Sequence, residues 1–116
     1  MPFHAPLFDL SQAQALAGEG DALRSLAQSF RDSLRTELQR LDAALTGGDP
    51  EALSLGLHAL KGFVPLFCHP DLAQAITDLY RDSRQASAEV TRERYRDLAP
   101  VLQALAGEVE AWLGAL

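Results

Sequence analysis

The pentapeptide His58-Ala59-Leu60-Lys61-Gly62 puts an imidazole, an ammonium group and a residue without a side chain within five positions. An imidazole in water, with a pKa of about 6.5, is largely neutral near pH 7 and offers a nucleophilic nitrogen. A phosphoryl group accepted there would carry roughly two negative charges, and a cation three residues along a helix is placed to pair with them. Lys61 is the only lysine in the chain. Glycine inside a helix costs about 1 kcal/mol relative to alanine. Gly62, four residues after His58, therefore points to a gain from having no side chain there, such as the close approach of a bulky partner. Together the three residues propose a phosphorylatable histidine.

Other reactive residue types make weaker cases. His58 and His69 are eleven apart with a break expected between them, which matches no usual metal site, so no metal is assigned to the chain. Cys68 reads as a small buried hydrophobe at a helix end. A cysteine nucleophile would need a positioned base, which its neighbour His69 does not establish. His4 falls in an N-terminal segment, about 1–8, expected to be loose, and is given no role.

The elements that must position His58 are helical. Apolar residues recur every three or four positions between proline and glycine clusters, with no sustained alternation. A short first helix is expected from residue 9 or 11 to 17, ended by the AGEG stretch, with Asp21 as a cap for the next. The second helix carries Leu23, Leu26, Phe30, Leu34, Leu38, Leu41 and Leu45 on one stripe. The TGGDPE stretch then supplies a glycine for the left-handed C-terminal position, Asp49 as N-cap, Pro50 at the first helical position and Glu51 at the positive helix start. The third helix is expected over about 50–67, ended by CHPD because Pro70 disfavours helical geometry at His69. A fourth spans about 70–87, with Leu72, Ile76 and Leu79 on its apolar stripe. From residue 91 on, Tyr95, Leu98, Leu102, Leu105, Val109, Trp112 and Leu116 mark a strongly amphipathic fifth helix, which Pro100 should bend or split after Ala99. The pattern predicts an all-α protein: an antiparallel four-helix bundle with a short extra N-terminal helix, forming one domain over residues 1–116.

A wheel at about 100° per residue orients His58 within the third helix. Leu53, Gly56, Leu60, Phe63, Val64 and Phe67 fall roughly 140° to 240° away and form the buried stripe. Glu51, Ser54, Lys61, Gly62 and Pro65 fall within about 60° of His58, on a face that is polar or small. The histidine is therefore expected to be displayed, not buried.

Composition narrows the function classes. A chain of 116 residues, 47% hydrophobic, can bury one core. A net charge of -6 argues against nucleic acid or an anionic membrane surface as the main partner. No run approaches the roughly 20 apolar residues of a membrane span. No secretory signal opens the sequence, and a single cysteine needs no oxidising compartment, so the cytoplasm is the expected location.

His58-Ala59-Leu60-Lys61-Gly62, preceded by GGDPEAL and set in a bundle of this size, resembles the H-x-L-K-G signature of histidine-containing phosphotransfer (HPt) domains. The GEGDAL turn before a long helix and the leucines at 72 and 79 fit as well, so the resemblance covers about residues 9–84, and the remainder by helical character. The resemblance implies a phosphorelay intermediate that takes a phosphoryl group on His58 from a receiver-domain aspartate, or from a kinase, and passes it to a response-regulator receiver. Such a domain is a carrier, not an enzyme, and binds no cofactor itself; Mg2+ belongs to the partner receiver. The implied partners are receiver domains and a hybrid sensor histidine kinase, with the chain acting as a monomer. No nucleotide-binding motif is present for self-phosphorylation. The family often sets a polar side chain from the following helix near the phosphohistidine, and ungapped counting puts Tyr80 or Arg84 there, with Arg81 beside them. Lys61, Arg84 and Tyr80 are thus candidates for stabilising the phosphoryl group, and Gly62, Ser54 and Pro65 for partner access.

One stretch departs from the family. Small residues and a glycine ten positions past the histidine are usual, whereas this chain has Phe63-Val64-Pro65 and Cys68. Pro65 would reshape the docking surface and remove a hydrogen bond to the Lys61 carbonyl. The alternative is therefore a degenerate HPt-like module that binds and regulates a receiver or kinase without being phosphorylated. A purely structural helical domain is the third possibility.

Overall fold

A computed structural model describes residues 3–116. Five α-helices follow one another: α1 (Ser11–Ala17), α2 (Asp21–Gly47), α3 (Pro50–Phe63), α4 (Pro70–Ser83) and α5 (Ala88–Gly114), with a 3-10 turn at Val64–Leu66. Among the described residues there is no strand, only an isolated bridge between Phe8 and Cys68. Packing runs in a ring: α2 on α3, α3 on α4, α4 on α5 and α5 back on α2, with α1 laid on α2. This is a four-helix bundle with a short extra N-terminal helix. A helix of 27 residues, the length of α2 and of α5, spans roughly 40 Å at 1.5 Å per residue. Those two helices therefore set the bundle's 44 Å long dimension.

The core is built from the expected stripes. Leu34 and Leu41 of α2, Leu53 and Leu60 of α3, Leu72 and Ile76 of α4, and Leu102, Leu105 and Val109 of α5 are all buried. Leu26, Leu45 and Trp112 lie at its margin, Leu116 is exposed, and Ala27 and Ala44 are buried where leucine had been expected. Small residues let the long helices approach. At Gly56, an added Cβ would lie 2.8 Å from Leu41 Cγ, so glycine sets the spacing of α2 and α3.

The boundary between α2 and α3 follows from local chemistry. Gly48 takes the left-handed conformation (φ 67°) and closes α2, with its N–H and that of Asp49 bonded to the last carbonyls. Asp49 Oδ1 accepts from the N–H groups of Glu51 and Ala52, both at 3.1 Å. Pro50 then starts α3.

Several boundaries differ from expectation. Asp21 is the first residue of α2 rather than its cap, and Gly20 precedes it. Helix α3 stops at Phe63, four residues short of the expected end, because Pro65 has no N–H to continue the ladder and the chain tightens into a 3-10 turn, closed by Phe67 N–H donating to Val64. Helix α4 ends at Ser83 instead of running to 87, because Ser87 serves as the N-cap of α5, accepting from Val90 N–H at 3.2 Å. Helix α5 thus starts three residues earlier than expected. It is continuous through Pro100 rather than split, since the exposed Pro100 sits in a helix held by buried neighbours on either side.

The N-terminal segment is not loose throughout. Leu7 is buried, and the N–H groups of Leu7 and Phe8 donate to the Glu108 carboxylate at 2.8 and 3.0 Å. Asp9 N–H donates to Phe67 O and His69 N–H to Leu7 O, so residues 7–9 clasp the turn between α3 and α4. The start of the same expected segment, Met1 and Pro2, lies outside the described residues. An aromatic cluster fills this end: Phe67 lies 4.6 Å from Phe30 and 6.0 Å from Phe8 between ring centroids, and Phe8 meets Trp112 at 5.7 Å. Such pairs add about 0.5–1.5 kcal/mol each beyond area burial.

Candidate functional site

Helix α3 is inserted between α2 and α4, and this sets what its outer face displays. Leu53, Gly56, Leu60 and Val64 point inward as the wheel requires. Leu57 is also fully buried (0% exposed), although it lies only about 100° from His58. Contact with helices on both sides widens the buried arc beyond a single stripe. His58, Lys61 and Gly62 remain exposed, and Ser54 is half-buried one turn earlier.

Four side chains from two helices converge at this face. In α4, burial of Leu72, Ile76 and Leu79 turns Tyr80 toward α3. The His58 and Tyr80 rings lie 5.1 Å apart between centroids, tilted by 50°. Lys61 Nζ stands 5.2 Å from the centroid of the same Tyr80 ring, within reach of a cation–π contact. Arg84, at the C-cap of α4 and one turn beyond Tyr80, donates from Nη1 to the tyrosine hydroxyl at 3.2 Å. Thus His58, Lys61, Tyr80 and Arg84 form one cluster with Tyr80 at its centre. Arg81 is not part of it: its guanidinium is taken by Asp78 (3.2 Å) and Asp82 (3.1 Å), whose carboxylates hold it above its ordinary pKa.

The surroundings of His58 are open. A Cβ added at Gly62 would meet nothing within 4 Å, so this glycine leaves space facing outward and serves no internal packing. Pro65 departs from the wheel. With α3 already ended, it sits half-buried in the 3-10 turn and does not continue the His58 face. On the other flank of His58, Leu55 is 70% exposed. With Ala43, Ala44, Ala52, Gly56 and Ala59 it lines a shallow, mainly apolar groove between α2 and α3, to which Glu37, Arg40 and Asp49 add charged groups. The sequence carried a signal for this groove: Leu55 is an apolar residue about 60° from His58 and outside the buried stripe.

Two other reactive groups are accounted for structurally. Cys68 is buried, and desolvation, followed by the nearby Asp71 carboxylate, pushes its thiol up to about 12, the opposite of an activated nucleophile. His69 Nδ1 lies 3.4 Å from Asp9 Oδ2 within the N-terminal clasp, away from the His58 cluster. Asp9 itself is held below its ordinary pKa, chiefly by hydrogen bonding to Ser11. Among the described residues no group of three or more His, Cys, Asp or Glu side chains is gathered to hold a metal, and no helix is long and apolar enough to cross a membrane.

Comparison with known proteins adds one positive finding. No curated protein and no solved structure matches the chain. The family model described as the Hpt domain matches residues 25–114, from the first turns of α2 to the end of α5, and so takes in all four bundle helices and the His58 face. A match over that much of the chain shows that the protein belongs to the Hpt domain family.

Proposed function

We propose that the chain is a phosphorelay intermediate that carries a phosphoryl group on His58 between receiver domains. The observation that carries this reading is the display of His58 on an open face, against the Tyr80 ring that Lys61 and Arg84 also meet, with unfilled space at Gly62. In the transfer, a lone pair on a neutral imidazole nitrogen attacks the phosphorus of an aspartyl phosphate on the receiver. The N–P bond forms as the P–O bond breaks, and the electron pair leaves with the aspartyl carboxylate. The second transfer reverses these steps onto another receiver's aspartate. Lys61 and Arg84 offset the charge carried on the ring, with Tyr80 between them. Mg2+ acts from the receiver's acidic site.

The apolar groove beside His58, with Gly62 and Ser54, gives a receiver a surface to cover while its aspartate reaches the imidazole. The initial phosphoryl donor is a sensor histidine kinase of hybrid type, and the chain works as a monomer in the cytoplasm. A second reading draws on Pro65, which ends α3 one turn after His58 and reshapes the docking edge. There, the chain binds a receiver or kinase without taking label.

Incubation with a phosphorylated receiver and Mg2+ separates the two. Acid-labile label on the wild type and none on His58→Gln is the expected result. A stable complex with no label on either protein establishes the interaction-only module instead.

A further inference from the structure

Three contacts meet on Tyr80, and only one of them uses its hydroxyl. The imidazole of His58 lies against the ring at 5.1 Å, the ammonium of Lys61 stands over it at 5.2 Å, and Arg84 holds the hydroxyl at 3.2 Å. We propose that Tyr80 is a positioning residue acting through its ring face, a seat that holds the His58 imidazole and stores the Lys61 ammonium until phosphorylation draws that ammonium onto the phosphoryl oxygens. This deepens the carrier reading and rests on it.

The geometry favours the ring over the hydroxyl as the working part. Tyr80 is half-buried, its ring turned toward α3 by the packing of Leu79 and Ile76 and its far end tied by Arg84 on the same helix. A ring fixed at both ends presents a constant π-face, negative at its centre, to whatever stands above it. His58 and Lys61, three residues apart on α3, both lie against that ring. The exposed imidazole would otherwise sample several rotamers; against the ring its outer edge keeps one direction. The exposed Lys61 has no carboxylate partner within 4 Å among the described residues, so the ring is its resting place.

A phosphoryl group with about two negative charges attracts an ammonium far more strongly than a π-face does. The lysine therefore has two seats, one for each state of His58, and moves between them by rotation of its own side chain. Tyr80 thus has two separable effects: it speeds acceptance by orienting the imidazole, and it opposes phosphorylation slightly by competing for Lys61. A tyrosine that served by hydrogen-bonding the phosphoryl group would do the reverse at equilibrium.

The test compares Tyr80→Phe and Tyr80→Leu with the wild type, measuring acceptance from a phosphorylated receiver with Mg2+, the equilibrium distribution of label, and the NMR order of the His58 ring and Lys61 side chain in unphosphorylated protein. Tyr80→Phe keeps the ring and its packing and loses only the Arg84 tie, so it is expected to stay much closer to the wild type than Tyr80→Leu in both rate and distribution. Tyr80→Leu should slow acceptance about ten-fold by loss of orientation. It should also shift the distribution toward phosphohistidine about two- to five-fold, the worth of an exposed cation–π contact. That second shift should vanish in a Lys61→Gln background. Tyr80→Phe behaving like Tyr80→Leu would assign the work to the hydroxyl and overturn the proposal, as would a Tyr80→Leu protein with wild-type rate and distribution. Failure of the carrier reading looks different: no variant, wild type included, takes label, while the His58 ring stays ordered in Tyr80→Phe and not in Tyr80→Leu.

Discussion

Gly56 and Gly62, about one and two-thirds turns apart on α3, should respond to the same substitution with opposite signs. In Gly56→Ala the new Cβ would meet Leu41, 2.8 Å from its Cγ and 3.5 Å from its Cδ1. Leu41 is fully buried, so a branch point and not merely a flexible tip must move, and α2 and α3 must spread. Overpacking of this kind costs about 1–3 kcal/mol, offset by about 1 kcal/mol of improved helix propensity. A net loss of up to about 2 kcal/mol lowers the melting temperature by up to about 8 °C in a domain of this size. In Gly62→Ala the Cβ meets nothing within 4 Å. Only the propensity term remains, about 0.5 kcal/mol so close to the helix end, raising the melting temperature by about 2 °C. Thermal unfolding followed by circular dichroism measures both. Phosphotransfer then separates the roles: Gly62→Ala, and more so Gly62→Gln, should accept label more slowly from a receiver although the fold is no weaker, because the added atoms occupy space a partner needs. Equal melting temperatures for Gly56→Ala and Gly62→Ala would refute the packing argument, and wild-type transfer by Gly62→Gln would refute the access argument.

Lys61→Gln should reduce the plateau of phosphorylated protein about five-fold at low ionic strength, from loss of roughly 1 kcal/mol of charge pairing near the surface, and the deficit should shrink in 1 M salt. Cys68 should resist alkylation in the native protein at pH 8 and react on unfolding, as judged by mass spectrometry, because burial pushes its thiol up to about 12. Its linkage has a definite sign: an acid whose folded pKa is raised binds its proton longer folded than unfolded, so stability is intact below the unfolded value of about 8.5 and falls as pH rises above it, by at most about 1.4 kcal/mol per unit. Denaturant midpoints between pH 8 and 10.5 that stay flat would contradict this. Glu108→Ala should release the clasp at Leu7 and Phe8, costing about 1.5–3 kcal/mol for lost bonds to a charged acceptor, and limited proteolysis should then cut before Asp9 much faster than in the wild type.

How far the sequence could be read depended on whether a feature was local or tertiary. The turn from α2 into α3 was legible residue by residue, because Gly48, Asp49 and Pro50 each perform a backbone task that does not depend on distant contacts. The outward direction of His58 was legible too, since helical periodicity alone opposes it to Leu53 and Leu60. Less visible were features in which one segment answers another far along the chain. The N-terminal clasp depends on Glu108, about a hundred residues from Leu7 and Phe8, and no local pattern marks that carboxylate as their partner. Leu57 is buried because α3 has neighbours on both sides, which a one-stripe wheel does not represent.

Pro65 lies between the two cases. Its effect on the backbone was foreseeable, but projecting it onto the wheel presumed a helix that the proline itself ends. The projection put Pro65 beside His58; the structure puts it in the 3-10 turn, half-buried. The exposed face around His58 is therefore shorter than an ideal helix would give, bounded by Gly62 on one side of His58 and extended on the other by Leu55 and Ala59. A receiver that docks here must gain its apolar contact from the α2–α3 groove rather than from the end of α3. The physical consequence is an asymmetry between substitutions: Leu55→Ser should weaken receiver binding several-fold, whereas Pro65→Ala should act chiefly through the geometry of the turn and leave binding near the wild-type value. Titration of each variant with an unphosphorylated receiver, read by calorimetry, decides the point, and the reverse order of effects would place the docking contact at the turn.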